Sequence, residues 1–248
     1  NQRIKLTKMK KIICDNYKSA CILAADIFAM QLKNKPDSVF GLATGGTPLG
    51  MYEEIIDRVN NGEMDFSKAS AFNLDEYYPI EENHPQSYKT YMQNNLFNKV
   101  KFANTYIPNG EAENPHTECA AYDATIESAG GIDLQLLGIG VNGHIGFNEP
   151  STSYYIGSHV TTLTESTLEA NSRYFSENET QPTTALTMGL GSIFKAKHIV
   201  LLVTGESKRE IAKKLFDGKL HTNIPACFLL LHPNVTVILD EAANGIGE

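Results

Sequence analysis

Apolar residues along the chain fall into two alternating patterns, short continuous runs and longer stretches with helical spacing. The continuous runs predict buried strands at residues 39–42, 69–74, 132–137, 198–203 and 235–239. The stretches with helical spacing predict helices at residues 16–32, 49–59, 88–97, 113–128 and 208–216. Strands that alternate with helices favour a parallel sheet with crossover connections. We therefore predict an α/β fold with an open, mostly parallel, Rossmann-like sheet and helices on both faces.

Length and charge narrow the classes of protein to which the chain can belong. Its 248 residues suit one α/β domain, so we expect a single domain over residues 1–248. The net charge of −8 is dispersed and disfavours a nucleic-acid or membrane partner, although a local positive site can still bind a small anion. The sequence begins at Asn1, whereas Met9 begins a typical N-terminus, so residues 1–8 are interpreted as a leader or an added segment.

The hydropathy pattern and the cysteines predict the compartment. The sequence contains no run of eighteen apolar residues and no secretory signal, so we expect a cytoplasmic protein. Cys14, Cys21, Cys119 and Cys227 form no CxxC pair and no metal-ligand spacing, which predicts reduced, mostly buried thiols. The seven-residue separation of Cys14 and Cys21 corresponds to one face of a helix.

A glycine loop at residues 44–48 follows the first predicted strand and precedes a helix. Its glycines let backbone N–H groups approach a ligand, and the helix N-terminus adds positive potential. It matches neither the Walker pattern nor GxGxxG, so nucleotides are not indicated. Two interpretations stay open, an anion cradle and a tight structural turn. Lys208 and Arg173 are candidate phosphate ligands beside it, and either cation alone is also typical of a solvated surface.

The loop at residues 138–150 follows a buried strand and carries an amide, an imidazole and a carboxylate among glycines. His144 and Glu149 are candidates for an imidazole–carboxylate pair, with Asn142 as a hydrogen-bond partner. A structural histidine is the alternative. One His with one Glu five residues later is not a recognised ligand spacing, so no metal is expected.

Asp75 ends another predicted strand beside Glu76 and two tyrosines. A partly desolvated carboxylate at such a position can act as a base near neutral pH, and a turn or helix-capping aspartate is the alternative. The Ser-, Thr- and Asn-rich stretch at residues 151–183 is the widest predicted irregular segment. It is either a mobile lid or an ordinary surface connection.

Four motifs together closely resemble the glucosamine-6-phosphate deaminase family. They occur in the family's order at residues 42–48 (LATGGTP), 72–77 (FNLDEY), 143–150 (GHIGFNEP) and 170–173 (ANSR). The resemblance runs from about residue 9 to about residue 240. It implies conversion of glucosamine 6-phosphate and water to fructose 6-phosphate and ammonium, without a metal or organic cofactor.

The resemblance also implies roles for individual residues. The residue matching His144 assists opening of the pyranose ring, the one matching Glu149 supports it, and the one matching Asp75 moves a proton between C2 and C1. The phosphate site is implied at the positions Thr44, Gly45, Gly46, Thr47, Arg173 and Lys208. Two separate proton-transfer centres suit this chemistry, because ring opening and C2 deprotonation take place at different atoms.

Two departures from the family pattern affect these expectations. Some members carry Asp where this chain has Asn142, which can orient a neighbour but cannot hold a negative charge. Allosteric members bind N-acetylglucosamine 6-phosphate through Arg and Lys where this chain has His159 and Thr161. The chain is therefore similar to the shorter, non-allosteric members, and we expect a monomer or a small homo-oligomer.

Two other functions were weighed against deamination. A sugar-phosphate lactone hydrolase such as 6-phosphogluconolactonase shares the architecture but needs no base for C2. A sugar-phosphate sensor would carry a basic helix-turn-helix segment ahead of the domain, and only about fifteen residues precede the first predicted helix. The setting of Asp75 favours the deaminase.

Overall fold

The structure is a computed structural model that describes residues 9–172, 175 and 180–245. Its strands are β1 Lys10–Cys14, β2 Val39–Leu42, β3 Ser70–Asn73, β4 Asp75–Tyr78, β5 Asn104–Tyr106, β6 Leu134–Leu137, β7 His159–Thr162, β8 Thr184–Thr187, β9 His198–Val203 and β10 Val235–Asp240. Its α-helices are α1 Tyr17–Asn34, α2 Leu49–Asn60, α3 Tyr88–Met92, α4 Pro115–Ser128, α5 Glu165–Ser172, α6 Leu190–Phe194, α7 Arg209–Leu215 and α8 Glu241–Asn244. A π-helical segment, Gln93–Phe97, continues α3, and 3₁₀ segments lie at Glu206–Lys208 and Pro225–Leu231.

A seven-stranded parallel sheet forms the centre of the fold, in the order β1-β10-β9-β6-β2-β3-β5. The predicted α/β fold is confirmed. The chain runs outward from β2 to β3 and β5, then returns to β6 on the other side of β2 and continues to β9 and β10. The gap between β2 and β6 is therefore the topological switch point, where α/β proteins bind their ligands beyond the carboxyl ends of the strands.

Helices cover both faces of this sheet. Right-handed crossovers place α1, α2 and α3 on one face, because their connections all run toward β5. The connections that contain α4, α6 and α7 run the opposite way, so these helices lie on the other face. In agreement, α1 packs on α2, and α2 packs on the π-helical segment. Helices α1, α2 and α3 thus form one layer.

The central strands are fully buried, which explains why continuous apolar runs predicted them. All residues of β2, β6 and β10 are buried, as expected for parallel strands covered on both faces. The edge strand β1 has mostly exposed or half-buried residues, and its apolar run was too short to predict it. Cys14 lies in β1, so the expectation that it shares a helical face with Cys21 is wrong. All four cysteines are unpaired, and three of them are buried.

A second, antiparallel sheet of β4, β8 and β7 lies beside the main one. None of its strands was predicted: Asp75 was expected to end the preceding strand but begins β4, and β7 and β8 are short and rich in threonine. The expectation of an irregular segment at residues 151–183 is wrong for its described part, since β7 and α5 fall within it. A separate hydrophobic cluster packs under this sheet and includes Tyr77, Ile80, Phe147 and Leu163. None of the described helices combines the length and the apolar composition that a membrane-spanning helix needs.

Candidate active site

The glycine loop leaves the carboxyl end of β2 at the switch point. Gly45 has φ +92°, in the region that favours glycine, and this turns the chain back toward α2. Pro48 lies immediately before α2, where the fixed proline φ is compatible with a helix start. Thr47 and Pro48 line a small cleft together with Gly138, the first residue of the second predicted site loop. The two loops therefore leave the sheet side by side.

Lys208 lies at the carboxyl end of β9, which neighbours β6 at the same edge of the sheet. Burial lowers the pKa of its ammonium group, and no carboxylate among the described residues pairs with it. The turn before it contains Gly205, whose N–H donates to both carboxylate oxygens of Asp240 at 3.0 Å. A half-buried cation that no described carboxylate neutralises is suited to binding an anionic ligand. The other predicted cation, Arg173, lies outside the described residues.

The loop at residues 138–150 is folded by its own backbone. The Gly140 N–H donates to the His144 carbonyl at 2.9 Å, and the Gly143 N–H donates to the Gly140 carbonyl at 2.9 Å. Gly143 has φ +89°, and a Cβ at this position would meet Ile224 at 2.4 Å. Asn148 secures the end of the loop by donating to the carbonyls of Ile145 and Met188. This compact turn brings Asn142, His144 and Glu149 together as predicted.

Asn142 connects the other two members of this group. Its Oδ1 accepts the backbone N–H of His144 at 3.1 Å, and its Nδ2 donates to Oε2 of Glu149 at 2.7 Å. Nδ1 of His144 lies 3.4 Å from the same carboxylate oxygen. It has no closer hydrogen-bond partner among the described residues. The imidazole is 29% exposed and the carboxylate 12% exposed, so the ring is the more accessible of the two to solvent.

The carboxylate of Glu149 is held in its ionised form. Burial acts to raise the pKa of Glu149, but His144 and the hydrogen bonds from Thr167 and Asn142 outweigh it and lower the pKa to about 2. Thr167 donates to Oε1 at 2.6 Å, and Thr164 lies 3.4 Å from the same atom. Sequence reasoning missed both threonines. The only signal was their place in the segment that was interpreted as irregular.

The imidazole of His144 lies directly against the backbone of Gly140. A Cβ added at Gly140 would come within 2.2 Å to 2.6 Å of three ring atoms, closer than any van der Waals contact allows. The backbone φ of Gly140 is not in the positive region, so the requirement for glycine here is one of space. Gly140 is therefore part of the seat that sets the position of the ring.

Asp75 forms a second centre at the start of β4. It is 5% exposed, and burial, reinforced by the charge of neighbouring Glu76, raises the pKa of Asp75 from 3.8 to about 8. Its Oδ2 would lie 3.4 Å from a Cβ at Gly146, so it faces the loop that carries His144. The pKa of Tyr88 is raised mainly by burial and also by the charge of Asp75, while Thr44 of the glycine loop lowers it. This tyrosine therefore lies near both the glycine loop and Asp75.

The Glu76 side chain hydrogen-bonds to the start of α3 and stabilises that turn. Its carboxylate accepts the backbone N–H groups of Tyr77 and Tyr88 at 2.8 Å and that of Lys89 at 2.9 Å. Burial raises the pKa of Glu76 to about 7, against the effect of these donors. The carboxylate thereby fixes the first turn of α3, from which Tyr88 extends toward the site. The alternation of side chains along β4 separates the two adjacent carboxylates.

The structure thus brings the predicted residues that it describes to one edge of the sheet, as two groups of titratable side chains beside the glycine loop. Asn142, His144 and Glu149 contact one another, and Asp75 stands apart across Gly146. In the part of the chain that the structure describes, no three His, Cys, Asp or Glu side chains are grouped around a common metal position. The arrangement is suited to proton transfer on a small anionic substrate.

Fold and site together define an α/β protein in which buried titratable groups lie beside a glycine loop at a sheet switch point. Residues 17–238 match the model of the family described as glucosamine-6-phosphate isomerases/6-phosphogluconolactonase. The chain belongs to this family.

Named relatives extend the comparison over nearly the whole chain. A glucosamine-6-phosphate deaminase of Thermoanaerobacter pseudethanolicus is 53% identical over 96% of this chain and 95% of its own. One from Clostridium perfringens is 51% identical over 95% of this chain and 98% of its own. The solved structure of a monomeric glucosamine-6-phosphate deaminase matches with a TM-score of 0.92 and 43% identity, over 96% of this chain and all of that one.

Lactonase structures resemble the chain more distantly. The 6-phosphogluconolactonase from Trypanosoma cruzi matches with a TM-score of 0.75 and 17% identity, over 99% of this chain and 98% of its own. At this identity the likeness shows a shared fold and carries no inference about chemistry.

We predict that Gly140→Ala displaces the His144 ring while the fold is kept, because the added methyl group occupies the space of the imidazole. Gly138→Ala is the matched control, since a Cβ at Gly138 meets no atom within 4 Å. Heteronuclear NMR of the His144 imidazole should show a large shift change in the first variant alone. An unchanged imidazole spectrum in Gly140→Ala would contradict the described seat.

Proposed function

We propose that the chain converts glucosamine 6-phosphate and water to fructose 6-phosphate and ammonium. The observation that carries the proposal is Asp75, a buried base with a pKa of about 8 that faces the His144 loop and lies beside the glycine loop. The relatives named as glucosamine-6-phosphate deaminases support it over nearly the full chain. Because the net reaction consumes water and cleaves a C–N bond, the enzyme would formally be a hydrolase that also isomerises.

Binding begins at the phosphate in this proposal. The backbone of Gly45, Gly46 and Thr47 and the hydroxyl of Thr44 donate to the phosphate oxygens, and the α2 N-terminus adds positive potential. Lys208 supplies charge from the neighbouring strand end. We assign Arg173 to the same group on the resemblance of its motif. Anchoring the phosphate orients C1 and C2 for the chemistry, which reduces the entropic part of the barrier.

Ring opening is assigned to His144. The C1 hydroxyl must lose a proton and the ring oxygen must gain one, so a group able to carry a proton at neutral pH is required. Glu149 stays ionised and stabilises the imidazolium when it forms, while Asn142 holds the carboxylate in place. In this proposal Asn142 is a positioning residue.

Isomerisation and loss of ammonia are assigned to Asp75. Its carboxylate takes the proton from C2 of the open-chain aldehyde, the electron pair moves toward O1, and O1 takes a proton from the neighbouring C2 ammonium group to give an enolamine. The protonated Asp75 then returns the proton to C1, which leaves an imine at C2. Water adds to this imine, the C–N bond breaks, and ammonia leaves as fructose 6-phosphate forms. A base with a pKa near the working pH serves both proton steps.

The cellular and structural setting is also proposed. We expect a single catalytic domain that acts as a monomer in the cytoplasm. The four unpaired cysteines support a reducing compartment, and the similar solved structure is of a deaminase described as monomeric.

The first test is the reaction itself. Purified protein incubated with glucosamine 6-phosphate should release ammonium and fructose 6-phosphate in equal amounts, measured by coupled assays on the same sample. 6-Phosphogluconolactone is the comparison substrate and should not be hydrolysed above its spontaneous rate. Hydrolysis of the lactone without ammonium release would favour the lactonase instead.

The second test concerns the base. Asp75→Asn should lower kcat by about 10²- to 10⁴-fold, because it keeps the shape but removes the proton acceptor. Binding of glucosamine 6-phosphate, measured by calorimetry, should survive. In the wild type, kcat/KM should fall as the pH drops below about 8, since protonation disables a base with this pKa. Turnover of Asp75→Asn at the wild-type rate would show that another group is the base.

The third test concerns regulation. His159 stacks on Tyr155 with a 4.3 Å ring separation, and burial lowers the pKa of His159, so it offers no fixed cation to an allosteric sugar phosphate. Thr161 lies in β7 and carries no charge. Added N-acetylglucosamine 6-phosphate should therefore leave the substrate saturation curve unchanged. A lower half-saturation concentration in its presence would contradict the non-allosteric proposal.

A further inference from the structure

Tyrosine hydroxyls from the neighbouring helices donate hydrogen bonds to the backbone carbonyl groups of the glycine loop. Tyr52 donates to the Ala43 carbonyl at 2.5 Å, and Tyr91 donates to the Gly45 carbonyl at 2.5 Å. The hydroxyl of Tyr17 lies 3.0 Å from the Thr47 carbonyl and 3.3 Å from the Gly46 carbonyl. These contacts bind nearly every carbonyl of the turn.

The three tyrosines reach the loop from separate helices of one layer. Tyr17 begins α1, Tyr52 lies in α2 and Tyr91 lies in α3, and all three helices cover the same face of the sheet. Tyr17 also accepts the N–H of Gly50 at 2.9 Å, which ties the loop to the first turn of α2. The carbonyls of the loop therefore point toward this helix layer.

Because the peptide bond is planar, fixing a carbonyl group of the loop also fixes the direction of the N–H group of the next residue. In a trans peptide the C=O of one residue and the N–H of the next point in opposite directions. Carbonyls fixed at Ala43, Gly45 and Gly46 thus direct the N–H groups of the following residues away from the helix layer. Among the described residues, no acceptor is bonded to the N–H of Gly46 or Thr47.

We propose that Tyr17, Tyr52 and Tyr91 form a tyrosine collar that positions the N–H groups of the glycine loop to bind the substrate phosphate. The inference rests on the proposed function and deepens it. A glycine loop can rotate its peptide planes at little steric expense, and each rotation would replace an N–H by a carbonyl oxygen facing the anion. The collar prevents this by giving each carbonyl a partner on the opposite side, so the donors are aligned before the substrate arrives.

Exposure separates the collar members that can be tested from the one that supports the core. Tyr52 is fully buried, so removing its hydroxyl leaves the Ala43 carbonyl without a partner and weakens the fold. Tyr17 is 37% exposed, and Tyr91 is half-buried. Water can replace their hydroxyls, and Phe at these positions should fold normally.

The experiment compares Tyr17→Phe, Tyr91→Phe and the double variant with the wild type. Each single change should raise KM for glucosamine 6-phosphate and the inhibition constant of inorganic phosphate roughly 3- to 10-fold, with kcat within about twofold. The double variant should raise both constants further than either single change, with coupling between the two because they hold adjacent peptides. Tyr78→Phe is the matched control, because its hydroxyl donates to a different loop carbonyl, that of Ala112, at 3.0 Å. Its constants should equal those of the wild type.

Two results for the collar variants would overturn the inference. Lower melting temperatures with unchanged phosphate inhibition would show that the collar is only structural and would overturn the inference. A fall in kcat without a change in phosphate inhibition would overturn it as well. A wild-type enzyme that releases no ammonium removes the proposed function, whereas a working, phosphate-inhibited wild type with unaffected collar variants removes the collar alone.

Discussion

The reversal of strand order between β2 and β6 is the constraint on which the rest of this structure depends. Two neighbouring parallel strands whose connections run in opposite directions leave no crossover above the gap between them. The glycine loop and the loop at residues 138–150 both leave the sheet at this gap. The strands on either side of this gap position the other site residues. β3, beside β2, leads to Asp75, and β9, beside β6, leads to Lys208.

The surroundings of two carboxyl groups, Asp75 and Glu149, shift their pKa values in opposite directions. Asp75 is buried beside another acid and receives no hydrogen bond from the described residues, so burial keeps its proton affinity high. Glu149 is also largely buried, but an amide, a hydroxyl and an imidazole surround it and keep it charged. Opposite shifts of neighbouring acids are the usual way in which a protein assigns a proton-transfer role to one and a supporting role to the other. These opposite surroundings are compatible with the assigned roles of base and supporting charge.

Much of this architecture was predictable because burial on both faces leaves an unmistakable apolar run. Strands β2 and β9 were predicted with correct bounds, and the helices that follow them within a few residues. Strands β1, β4, β5, β7 and β8 were not predicted, since an edge position or a polar, threonine-rich sheet gives no such run. Among site residues, Asn142, His144 and Glu149 are close in sequence, so one loop sufficed to group them. Thr167 and Tyr17 reach the site only through the folding of distant segments, and nothing local marked them.

The amide of Asn142 lets Glu149 stay ionised without a shared proton. It offers Glu149 a permanent donor at 2.7 Å, a distance that two ionised carboxylates could not share. A relative with aspartate at this place would have to keep an extra proton between the two acids or separate them. This chain needs no such proton, so the group around His144 has one titrating member fewer. Glu149 stays ionised in this arrangement and supplies a constant negative charge beside the ring.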